Sequence, residues 1–131
     1  MSGEIFLELK NGVFDREAII SYLDKVSFAF NDPVDPNVYL FCGSQGVKDS
    51  YYQERVAAKE KNDVEFSYAL GVIRLQPSLI SMGIMCGGVA GQQCRDFLKW
   101  LLSTYDLSIT DDYGNDLTEQ AKKDIEPIFK R

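Results

Sequence analysis

Between Val64 and Cys86 the chain carries two runs of strict alternation that leave little choice about how it folds. Val64, Phe66, Tyr68, Leu70 and Val72 occupy every second position, and after Pro77-Ser78 the residues Ile80, Met82, Ile84 and Cys86 do the same. Successive side chains of a strand point to opposite faces, so a period of two makes one apolar face and one wetter face. Two such runs around a turn predict a long antiparallel hairpin over about 64–86, in the middle of a sheet.

The remaining segments supply what surrounds it. Ile5, Leu7 and Leu9 alternate with Glu4, Phe6 and Glu8 as a first strand, and Asn11-Gly12 follows as a turn. Asp15 can cap a helix running to about Phe30, with Ile19, Leu23, Val26 and Phe30 on one face. The prolines of Asn31–Asn37 end it, because the residue before a proline is pushed away from helical geometry. Val38–Cys42 is a continuous apolar run, the pattern of a buried strand. Ser50 and Gln53 have capping-box spacing, which predicts a short helix from about Tyr51 to Lys61.

Cys94, Phe97, Leu98, Leu101, Leu102 and Tyr105 lie at helical spacing and form the strongest amphipathic stripe of the chain. Leu107–Thr110 is a short strand, and Asp116 or Thr118 caps a last helix carrying Ala121, Ile125 and Phe129. Pro127 is expected to end or kink that helix. The element order predicts a single α+β domain over residues 1–131 in two layers. Its sheet is mixed, mainly antiparallel, with helices packed on it.

With 131 residues, 45% of them apolar, the chain can build one core without disulfides or a structural metal. No run approaches the ~18 apolar residues of a membrane span. Met1-Ser2-Gly3-Glu4 has neither the basic nor the apolar region of a secretory signal. Cys42, Cys86 and Cys94 each lie in an apolar segment, as reduced core cysteines do, so a cytoplasmic location is expected.

The charge of −6 disfavours nucleic acid and anionic membranes and favours a basic partner. There is no histidine, which removes Ser-His-Asp and Cys-His catalysis and imidazole metal ligands together. With no CxxC pair either, neither a metal site nor a cofactor is expected.

Three signals remain. Gly87, Gly88 and Gly91 sit between a strand and a helix, where backbone N–H groups can hold an anion. The spacing matches neither GxGxxG nor a P-loop, and a tight strand-to-helix connection is the better explanation of it. Cys94 lies near the same helix start, where a thiol can be activated, but it also begins the apolar stripe.

Asp111, Asp112, Asp116 and Glu119 form the densest acidic cluster, and no Lys or Arg occurs from Asp106 to Glu119. Placing Gly114 at the sixth position of a calcium loop puts Ile109 first and Gln120 twelfth, so it is not an EF-hand. It is either a solvated turn with capping aspartates or, with Tyr113 and Trp100, a docking patch for a basic protein.

The leading expectation is a non-enzymatic protein-binding module, in its sharpest form an acidic inhibitor or immunity-type protein that covers a basic partner. The alternatives are a small-anion or nucleotide-binding domain or enzyme built on the Gly87–Gly91 loop, and a structural homo-oligomer subunit. No residue is assigned a catalytic role.

Overall fold

The computed structural model describes residues 3–57, 71–84 and 87–129. Its strands are β1 (Glu4–Leu9), β2 (Ala29–Asn31), β3 (Val38–Phe41), β4 (Gly71–Leu75), β5 (Leu79–Gly83) and β6 (Leu107–Asp111). Its helices are α1 (Arg16–Asp24), α2 (Gln45–Ala57), α3 (Gly88–Thr104), α4 (Thr118–Lys123) and α5 (Glu126–Phe129). The six strands form one sheet in the order β2-β3-β4-β5-β1-β6, and every pairing is antiparallel. The sheet is thus antiparallel throughout its described strands, where the sequence allowed a mixed one. No helix among the described residues is long and apolar enough to cross a membrane.

The hairpin of β4 and β5 holds the two middle places, with Ile73 opposite Met82 and Leu75 opposite Ile80. Gln76 N–H donates to the Leu79 carbonyl across the Pro77-Ser78 turn. The earlier half of the expected alternation, Val64 to Leu70, and the far end at Cys86 lie outside the described residues. The register carries the alternation across the sheet. Ile5, Leu7, Tyr39, Phe41, Ile73, Ile80, Met82, Leu107 and Ile109 share one face and one core with residues of α1, α3, α4 and α5.

Helix α3 crosses this face with Cys94, Phe97, Leu98 and Leu101 fully buried, as the stripe predicted. It approaches closely: a Cβ on Gly71 would stand 2.5 Å from Cys94 Sγ and 3.2 Å from Phe41 Cβ. Gly71→Ala is therefore expected to destabilise by about 1–3 kcal/mol, the usual cost of overpacking, read from urea melting.

Among the described residues the other face carries its cover at the β3 end. Val38, Leu40 and Cys42 point away from the main core and form a second cluster with Tyr51 of α2. Phe30 and Val72 pack against it. All four residues of β3 are buried, because this strand has helices on both sides. Helices thus pack on both faces of the sheet at this strand, within the expected α+β arrangement of helices on a sheet.

Three boundaries differ from the sequence expectation, each for a physical reason. Helix α1, capped by Asp15 through Ala18 N–H at 3.1 Å, stops at Asp24 and does not reach Phe30. Phe28 then takes φ 62°, and Ala29–Asn31 pairs with β3 as an edge strand. Inter-strand hydrogen bonds override a periodicity that placed Val26 and Phe30 on the helix. The Asp32–Asn37 segment is accordingly a hairpin loop. Helix α2 starts at Gln45, earlier than Tyr51, because Ser44 Oγ accepts from Val47 N–H at 3.2 Å. The last helix breaks at Asp124, and Pro127 sits in the first turn of α5, where its missing N–H has no partner to lose.

Candidate functional site

The turn after β6 is built around Asp111, which is only 2% exposed. Its Oδ1 accepts from Tyr113 N–H at 3.0 Å and Asn115 N–H at 2.9 Å. Its Oδ2 accepts from Asn115 Nδ2 at 3.0 Å. Such a side chain replaces backbone partners and fixes a turn. Gly114, at φ 83°, takes the left-handed position that the turn requires.

Asp116 holds the next corner. Its Oδ1 accepts from the Thr118 hydroxyl at 2.6 Å and Thr118 N–H at 2.9 Å, and these bonds lower its pKa below the ordinary carboxylate value. Thr118 Oγ1 in turn accepts from Ile109 N–H at 2.9 Å, which ties the start of α4 to β6.

The acidic segment therefore divides. Asp111 is buried inside the turn, whereas Asp112, Tyr113, Asp116 and Glu119 are exposed, with the Asp116 carboxylate bonded to Thr118. Tyr113 is 65% exposed on a backbone that Asp111 immobilises. Glu119 has Lys122 Nζ at 3.7 Å, a weak surface pair. Trp100 is placed elsewhere. Its indole stacks on Tyr22 at 4.7 Å and packs with Phe97 and Tyr105, so it is part of the aromatic layer beneath α3.

The glycine loop is mostly helix. Gly87 is the N-cap of α3 without a side-chain hydrogen bond, Gly88 is its first residue, and Gly91 is buried within it. Gly91 N–H donates to the Gly87 carbonyl at 3.1 Å, so the first turn closes on itself. A Cβ on Gly43 would lie 3.1 Å from Ala90 N, so the loop after β3 packs closely against the first turn of α3.

Neither described thiol is placed for chemistry. Cys94 is fully buried, with Sγ facing the Gly83 carbonyl at 3.8 Å. Burial pushes the Cys42 thiol up to about 11, against a smaller opposing pull from Lys48. Both are buried, and both are expected to resist thiol reagents at pH 7.5 until the protein is unfolded. Rapid labelling of either in the folded state, followed by peptide mapping, would contradict this placement. Cys86 lies outside the described residues. Among the described residues no group of three His, Cys, Asp or Glu could hold a metal ion.

Sequence reasoning missed a buried ionic cluster on the second face. Asp32 Oδ2 accepts from the Tyr51 hydroxyl at 2.7 Å, and Asp32 Oδ1 accepts from Arg55 Nε at 3.2 Å. Burial would raise the Asp32 pKa, but bonds from Tyr51, Val34 and Arg55 outweigh it and hold the carboxyl below its ordinary value. Burial and the same bond raise the Tyr51 phenol. The cluster joins the β2–β3 loop to α2. Its only sequence signal is Tyr51 and Arg55 one helical turn apart. Comparison with known proteins adds nothing to these contacts: no family model, no curated protein and no solved structure matches the chain.

Proposed function

We propose that this protein is a non-enzymatic protein-binding module that docks a basic partner through the tip of the β6–α4 turn. The single observation that carries this reading is Tyr113, 65% exposed while its backbone N–H is tied to buried Asp111. An exposed aromatic ring on a fixed backbone loses little conformational entropy on binding, which is why such residues dominate interface energetics. Exposed Asp112, next to it in the chain, and Glu119 in the first turn of α4 supply the charge that steers a basic surface. An inhibitor or immunity-type role, covering a basic active site, is the sharpest form of this proposal. The free, buried thiol of Cys42 supports a reducing, cytoplasmic setting.

The test is capture at low salt from extract of the cells that make the protein, using immobilised wild-type and Tyr113→Ala side by side. A basic protein retained by the wild-type and weakened about 30-fold or more by Tyr113→Ala, the effect of an interface hot spot, supports the proposal. Equal retention by both, or retention of no basic protein, overturns it.

A further inference from the structure

A cavity of about 660 Å³ opens between the start of α1, the β2–β3 loop and the β4–β5 turn. None of its lining residues belongs to the Tyr113 turn. Phe14, Ile19, Leu75 and Ile80 line it and are all buried. Its volume and apolar lining fall within the ordinary range for small-molecule sites.

One charged group lines it. Arg16 is exposed, and its Nη2 donates to the Pro36 carbonyl at 3.0 Å, which anchors the guanidinium at the rim. Among the described residues Arg16 makes no salt bridge. Of the nearby carboxylates, Asp15 accepts from Ala18 N–H and Asp35 accepts from Asn37 N–H, while Glu17, the next residue, is exposed. The remaining guanidinium donors form a planar fork, the geometry that matches a carboxylate.

We propose that this cavity binds a monocarboxylate with an aliphatic or aromatic body. The carboxylate sits on Arg16, and the body is buried against Phe14, Ile19, Leu75 and Ile80. The chemistry selects against other classes. A polyanion is repelled by the net charge of −6, a cation meets Arg16, and a fully polar ligand leaves the apolar lining uncovered.

The test uses octanoate and its neutral counterpart 1-octanol as probes, followed by methyl NMR on the whole protein. Octanoate is expected to shift the methyls of Val13, Ile19, Leu75 and Ile80, with the shifts saturating together. It should bind about tenfold or more tightly than octanol, the effect of one charge-assisted hydrogen bond. Arg16→Gln should erase that preference while leaving the apolar contacts. Equal affinity of octanoate and octanol for the wild-type overturns the proposal, and needs no variant. Shifts scattered over the surface, or none at these methyls, overturn it as well.

Discussion

Asp32→Ala is expected to cost the fold about 3–5 kcal/mol, the usual loss when one partner of a buried ion pair is removed. The carboxylate is buried and accepts from the Tyr51 hydroxyl, Arg55 Nε, Val34 N–H and Asp35 N–H. Removing it leaves the side chain of Arg55, 11% exposed, without this counter-charge and strips the β2–β3 loop of its internal acceptor. The double variant Asp32→Ala/Arg55→Met should recover part of the loss, because no buried charge then remains at this position. Urea unfolding of the three proteins measures this, and a double variant no better than Asp32→Ala would contradict it.

The same contact has a pH signature. The folded Asp32 pKa lies below the unfolded value of about 3.9. Its contribution is therefore complete above that value and is lost as pH falls through the lower folded value. Between pH 5 and pH 2 the wild-type should lose more stability than Asp32→Ala does. Parallel losses would show that the carboxyl is not held in its ionised form.

Phe97→Ala is expected to cost about 3–5 kcal/mol, the range for deleting a buried aromatic ring. Phe97 is fully buried and packs edge-on against Phe41 at 5.9 Å, tilted against Tyr22 at 5.4 Å and stacked with Trp100 at 6.2 Å. It links α3 to the sheet and to α1, so its removal opens a cavity that no single element can collapse to fill. Leu98→Ala and Leu101→Ala, on the same buried face, should each cost about 2–5 kcal/mol. Trp100 is the only tryptophan, and its fluorescence reports the melting transition from inside this layer. A loss below about 0.5 kcal/mol for Phe97→Ala, the scale of a surface substitution, would mean that α3 packs by another face.

What the sequence disclosed follows how local each cause is. The stripe Cys94–Leu101 and the alternations in β1 and β5 are set by which face meets the core, so their periods survive in the primary structure. The fate of Phe30 is not local. Its helical spacing with Ile19, Leu23 and Val26 is real, yet pairing of Ala29–Asn31 with β3 decides it.

The second face was legible only as the unbroken apolar run Val38–Cys42, which required cover on both sides without saying by what. The candidate site divides the same way. Exposure of Asp112 and Tyr113 fits a polar turn, but the burial of Asp111 under three internal hydrogen bonds could not be told from its acidic neighbours. The cavity beside Arg16 is assembled from separate stretches of chain, so no motif announces it.

The docking role of the turn is tested most directly by stopped-flow association with the captured basic partner, comparing wild-type with Asp112→Asn/Glu119→Gln over a range of salt. Both carboxylates are exposed, and the variant's urea melting is measured beside its association so that a loss of fold and a loss of steering are told apart. Association should slow several-fold at low salt, and the salt dependence should become shallower, because steering acts over a Debye length of about 8 Å at physiological ionic strength. A variant that associates at the wild-type rate with unchanged salt dependence would contradict the account, and the acidity of this turn would then serve its own folding alone.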